Sequence, residues 1–140
     1  MTPALEFVAK LSVSITTPLV IGKTDQGLRE VIPIAGGTVE GPRLNGHIVP
    51  GGADWCTTRP DGAVEVSARY TLQMNDGAYI GVLNTGVLRR QPDGSWAGRT
   101  TPKFEAAAPQ YDWMRNCVFI GTLLASADGT RVEMAFYAVT

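Results

Sequence analysis

Hydrophobic and polar positions alternate along much of this chain. From Leu5 to Ile15 the odd positions are Leu, Phe, Ala, Leu, Val and Ile, and the even ones are mostly Glu, Lys or Ser. Val64, Val66, Ala68, Tyr70, Leu72 and Met74 likewise alternate with Glu65, Ser67, Arg69, Thr71 and Gln73. Val132, Met134, Phe136 and Ala138 repeat the pattern near the C-terminus. A period of two is the mark of a β-strand with one apolar face. The run Cys117–Ala125 is apolar almost throughout, which predicts a strand buried on both faces.

Asp-Gly occurs four times between such runs, at Asp61-Gly62, Asp76-Gly77, Asp93-Gly94 and Asp128-Gly129. This pair suits the type I′ turn of a tight hairpin. Only Tyr111–Asn116, after Pro109, reads as helical, and it is too short to cover a sheet. The pattern predicts an all-β fold, an antiparallel meander of eight or more strands with one short helix. Such a sheet buries its apolar face against itself as a sandwich or a closed barrel. A barrel is preferred because it leaves long strands without open edges.

The 140 residues fit one domain spanning the chain, large enough to bury a core without staples. A net charge of -1 gives no electrostatic reason to expect nucleic acid or a membrane surface as partner. Cys56 and Cys117 form no CxxC pattern, and with His47 as the one histidine no metal site or other cofactor is expected. Glu6 and Lys10 interrupt the first apolar run, and no segment reaches the length of a membrane span. The expected location is the cytoplasm, with reduced thiols.

The stretch Gly36–Trp55, GGTVEGPRLNGHIVPGGADW, raises a sharper question. Gly36-Gly37 and Gly51-Gly52 mark sharp bends or close backbone approaches. Thr38–Gly41 and Leu44–Val49 read as short strands meeting at Pro42. Gly51–Trp55 reads as a loop presenting an acid beside a large aromatic. It is either a barrel corner, with Asp54 bonded to nearby amides, or part of a site.

Three blocks, GPRLNGHIVPGGADW, ARYTLQMNDGAYIGVLNTG and PKFEAAAPQYDWMRNCVFIG, resemble in order and spacing a family of small bacterial proteins. That family is catalogued as domain of unknown function three-two-three-seven. The resemblance implies a compact, lipocalin-like antiparallel β-barrel with an internal cavity, and no settled activity. It carries onto Asp54 and Trp55 in the first block, Arg69 and Tyr70 in the second, and Glu105, Tyr111 and Trp113 in the third. Ser67 stands where the family often has an acid. The resemblance gives His47 no special standing, and it reads as a surface strand residue.

The candidate ligand-binding residues are therefore Asp54, Trp55, Arg69, Glu105, Tyr111 and Trp113. If the Val66–Leu72 face packs outward, Arg69 points into the lumen, and the converse is equally open. With Arg69 inside, the lumen would hold a small polar or anionic molecule. A second reading makes Asp54, Arg69, Glu105 and Tyr111 catalytic, in a metal-free isomerase, lyase or cyclase. There a carboxylate moves a proton while Arg69 or Tyr111 steadies an oxyanion. A third reading is a structural module in which an Arg–carboxylate pair closes the barrel and the outer face forms a homodimer. Cys56 reads as a packing residue. The site readings require the side chains of Asp54, Arg69, Glu105 and Tyr111 to converge on one cavity. Dispersal of those four would leave the glycine stretch as a barrel corner.

Overall fold

A computed structural model describes residues 1–140. Nine antiparallel strands follow one another: β1 (Leu5–Ile15), β2 (Leu19–Thr24), β3 (Gly27–Glu40), β4 (Gly46–Thr58), β5 (Val64–Met74), β6 (Tyr79–Arg90), β7 (Trp96–Ala106), β8 (Val118–Ala125) and β9 (Arg131–Val139). A short 3-10 helix, Pro109–Met114, lies between β7 and β8, starting two residues earlier than the sequence pattern suggests. Each strand from β3 to β9 pairs with the next, β9 pairs with β1, and β1 pairs with β3. Eight strands thus close into a barrel. β2 is the extra strand, held by the first part of β3 (Gly27–Val31) before β3 continues to pair with β1.

All four Asp-Gly pairs are hairpin turns, and in each the aspartate carboxylate accepts the N–H two residues on, at 2.9–3.1 Å. The turn type differs from the expected type I′. Every non-glycine residue has negative φ, and only the glycine of each pair adopts a left-handed φ, between 73° and 91°. These are type I turns followed by a left-handed glycine, a geometry that lets the aspartate stay right-handed and use its carboxylate as a brace.

The face of β5 that carries Val66, Tyr70, Leu72 and Met74 is buried and points into the barrel. In β1 a bulge breaks the alternation. Phe7 pairs with Tyr137 and Ala9 with Phe136, so Val8 is an added residue. One added residue reverses the phase of a strand. Leu5 and Phe7, which strict alternation would put on one face with Leu11 and Val13, are therefore on the outer surface, while Val8 is fully buried. β8 also departs from expectation: Phe119 and Leu123 face inward, but Val118 is 66% exposed and Leu124 47%. No second layer covers the outside of the barrel there, so one face of β8 meets solvent.

The glycine stretch is a corner of the barrel built into two long strands, with no loop at Gly51–Trp55. Between the pairs Val49–Thr71 and Ala53–Arg69, β4 advances four residues while β5 advances two. The two added residues keep the alternation in phase, so Asp54 shares the inner face with Ile48. Gly51 takes up the bend at φ 118°. Gly52 lets the β4 backbone lie directly against β5, since a Cβ there would stand 2.6 Å from the Arg69 carbonyl oxygen and from Tyr70 Cβ.

The interior is filled at one end only. Phe104 packs edge-on against Phe119 (4.8 Å between centroids) and Phe136 (5.5 Å), and Trp113 closes over Phe119. The 3-10 helix covers this end and buries Met114. Its clamps come from neighbouring turns: Tyr111 Oη donates to Asp76 at 2.7 Å, and Arg43 stacks on Trp113 at 3.8 Å while pairing with Glu6 at 2.7 Å.

Gly52→Ala is expected to lower unfolding free energy by about 1–3 kcal/mol, the usual cost of forcing atoms into a filled space. Gly81→Ala should stay within about 0.5 kcal/mol of wild type, because its added Cβ would meet nothing closer than 3.7 Å. Urea denaturation midpoints of the two variants check the contrast, and equal midpoints would refute the close-approach account.

Candidate functional site

The end of the barrel opposite the helix is hollow. There a cavity of about 300 Å³ lies between the ends of the strands, within the size range of small-molecule sites. Its lining is largely aliphatic: 16 of 23 residues are hydrophobic, among them Val13, Ile32, Ile34, Val66, Leu88 and Met134. The polar lining includes Glu30, Asp54, Thr58, Tyr70, Asn84 and Ser126, with no lysine, arginine or histidine.

Strand register places the acid. Asp54 is opposite Ile32 on β3 and Ala68 on β5, both inward-facing, so its carboxyl is held among apolar neighbours. Oδ1 accepts the Ser67 backbone N–H at 2.8 Å. Asp54 takes no part in any of the ion pairs, which all lie on the outer surface. Burial pushes its pKa up to about 6, against the opposing pull of the Ser67 hydrogen bond and the charge of Arg29. Arg29 is spent elsewhere, donating to the Trp55 carbonyl at 3.1 Å. Asp54 is thus a carboxyl that takes up or releases a proton near neutrality, in surroundings of low polarity.

Glu30 and Cys56 form the next cross-strand pair toward the mouth. Burial, reinforced by the charges of Asp54 and Glu30, pushes the Cys56 thiol up to about 12. Such a thiol stays protonated and is a packing residue, not a nucleophile.

Of the residues proposed from sequence, only Asp54 faces this cavity. Arg69 and Glu105 are exposed on the outside, because each neighbours inward-facing residues on its strand and the pleat sends it the other way. Trp55 follows Asp54 on β4 and for the same reason faces out, 43% exposed. Tyr111 and Trp113 belong to the plug at the closed end. The Arg–carboxylate pair expected to close the barrel is not formed, as neither Arg69 nor Glu105 enters an ion pair. His47 is a surface strand residue, as its sequence context suggests.

Tyr70 and Asn84 are lining residues that sequence reasoning passed over. Tyr70 shares the apolar face of β5 with Val66 and Leu72. Its place beside Arg69 in the ARY triplet was the available signal, and the inward-facing member of that triplet pair is the tyrosine. Asn84, at the centre of the apolar alternation of β6, breaks the pattern, and an isolated amide among aliphatic residues is the kind of exception a site leaves.

The fold and cavity define a small closed β-barrel with an acid-bearing apolar lumen. The chain belongs to the family described as "Protein of unknown function (DUF3237)", whose profile matches residues 3–139. It is 36% identical to a UPF0311 protein of Clostridium acetobutylicum, over 96% of this chain and 93% of that one. A β-barrel like protein from Acinetobacter baumannii superposes with a TM-score of 0.92 at 29% identity, over 100% of this chain and 98% of the other. A more distant relative is the hydroalkoxylation enzyme phnH of Penicillium herquei, 24% identical over 86% of this chain and 74% of that protein. No helix of this chain is long and apolar enough to cross a membrane.

The raised pKa of Asp54 means that the folded barrel holds this proton more tightly than the unfolded chain does. Its contribution to stability therefore falls as pH rises from 3.8 through about 6 and is constant above. The turn aspartates act with the opposite sign and at lower pH, since hydrogen bonds hold Asp61 and Asp128 down to about 2. Asp54→Asn, which keeps an acceptor for Ser67, is expected to be more stable than wild type by about 2 kcal/mol at pH 7. The advantage should vanish near pH 4. Denaturation series at pH 4, 5, 6 and 7 read this difference, and a flat one would show that Asp54 titrates as an ordinary surface acid.

Proposed function

We propose that the open lumen takes up a small, neutral, largely apolar organic molecule and that Asp54 exchanges a proton with it. The observation that carries this reading is an unpaired carboxyl at the wall of an apolar cavity, with no cationic side chain among the lining residues. Burying a carboxyl in this way costs stability, and carboxyls perturbed in this way cluster at functional sites. The expectation of an anionic ligand depended on Arg69 lying inside. With Arg69 outside, an anion would meet only Asp54 and Glu30, so the physical argument favours a neutral molecule.

The reaction class this supports is acid–base chemistry of the isomerase, lyase or cyclase kind. Protonated, Asp54 is a general acid toward a basic or unsaturated carbon. Ionised, it is a general base toward an acidic C–H or O–H. The relative from Penicillium herquei is named for a reaction that adds an O–H across a carbon–carbon double bond. That addition requires one proton delivered to carbon and one removed from oxygen, which a single carboxyl of near-neutral pKa is suited to exchange.

A thermal-shift screen of neutral aromatic and terpenoid-like ketones and alcohols tests the binding half. At a hundredfold excess over Kd a ligand stabilises the fold by about 2.7 kcal/mol, a Tm rise of roughly 8–10 °C. Ketones that bind are then incubated with the protein in D2O, and deuterium incorporation at the α-carbon is followed by mass spectrometry. Wild type is expected to accelerate exchange, and Asp54→Asn to slow it by about 10²–10⁴-fold. Bound ketones that show no accelerated exchange would reduce the function to binding alone. A library in which only anions stabilise would overturn the neutral-ligand reading.

A further inference from the structure

Two polar atoms of the lumen remain without partners once Asp54 is accounted for. Tyr70 Oη and Asn84 Oδ1 are both enclosed and form no hydrogen bond. Tyr70 is 3% exposed and Asn84 1%, and both residues line the open-end cavity. An orphaned buried polar group is costly, and folded proteins carry few of them. Phenylalanine and leucine would occupy the same places without that cost. Thr100 Oγ1 is also unpartnered but belongs to the packed interior, where it fills the space left by Gly121.

Register brings the two groups to the same patch of wall as the acid. Asp54 pairs with Ala68, and Ala68 pairs with Asn84, so the three form one rung across β4, β5 and β6. Tyr70 is the next inward-facing residue on β5. The rung is recessed at its centre, because Ala68 carries only a methyl group between the carboxyl and the amide. Burial and then the charge of Asp54 hold the Tyr70 hydroxyl in its protonated, donating form. On the other side Asn84 Nδ2 donates to Met134 Sδ at 3.4 Å, which orients the amide and leaves Oδ1 as its open acceptor.

The wall therefore offers one unused donor and one unused acceptor. A hydroxyl is a functional group that answers both at once, accepting from Tyr70 and donating to Asn84. A ketone or ether accepts from Tyr70 but leaves Asn84 Oδ1 unpaired. A carboxylate would do the same and would also face Asp54 and Glu30 without a compensating cation. We infer that Tyr70 and Asn84 are the specificity-determining pair of the lumen, and that they select neutral alcohols or phenols with a largely apolar body. This inference rests on the lumen reading above and adds the substrate class, with the hydroxyl held on the rung that carries Asp54.

Three two-ring probes separate the possibilities: 1-naphthol, 1-methoxynaphthalene and naphthalene, titrated calorimetrically at pH 7 against the full chain. Wild type is expected to bind 1-naphthol at least tenfold more tightly than either of the others. In Tyr70→Phe and in Asn84→Leu that preference should shrink to within about threefold, with naphthalene bound at least as well as before. Equal binding of all three probes to wild type would overturn the selection of a hydroxyl and leave the apolar lumen reading intact. Failure of all three to bind wild type would overturn both. Thermal melts supply a readout without any ligand. Tyr70→Phe should melt at or above the wild-type temperature, because it removes an orphaned group. A clear loss of stability would show that the hydroxyl is satisfied within the protein, and would also overturn the inference.

Discussion

The pairing of β1 with the second half of β3 is the contact on which the rest of the structure depends. Without it the nine strands would be an open sheet with two long edges and one apolar face in water. With it, that face becomes the inside of a tube, and every inward residue must pack, line a cavity or carry a cost. β3 serves both ends of this arrangement. Its first residues hold β2 outside the barrel and its last residues close the ring. Eight strands give an interior that side chains can fill or that can hold one small ligand, and this chain fills one end and leaves the other hollow.

The division between the ends follows from side-chain size. Large rings from β7, β8 and β9 meet at the end covered by the 3-10 helix, and the loops there lock the helix with Asp76 and Arg43. Toward the other end the wall carries Ala68, Cys56, Val66 and Ala125, which leave space between them. The packed end supplies the rigidity and apolar burial that stabilise the fold. The hollow end is where polar groups are tolerated at a cost, and it is there that Asp54, Tyr70 and Asn84 gather.

Asp54 shows how a backbone irregularity sets the surroundings of a side chain. The Gly51-Gly52 corner inserts two residues into β4 and not one. One would have turned the carboxyl to the surface, where it would be an ordinary acid. Two return it to the lumen, where burial raises its pKa. The single-residue bulge at Val8 does the opposite on β1, sending Leu5 and Phe7 outward. The glycine stretch is a corner of the barrel, and its bend is what aims the acid into the lumen.

Period-two alternation, the four Asp-Gly turns and the near absence of helix were legible in the sequence because they are local. They depend on backbone sterics and on neighbours a few residues away. They determined the class of fold, the strand order and the position of the corner that bears Asp54. Alternation states which residues share a face but not which face is inner, and that is decided by ring closure. So Arg69, Glu105 and Trp55, each beside an inward residue, lie outside, while Tyr70 faces the lumen. Tyr111 and Trp113 could be placed only when the 3-10 helix met the turns at Asp76 and Arg43, contacts 35 and 70 residues apart in the chain. The juxtaposition of Asp54, Ala68 and Asn84 across three strands is likewise a product of register, a long-range property with no signature in any one segment.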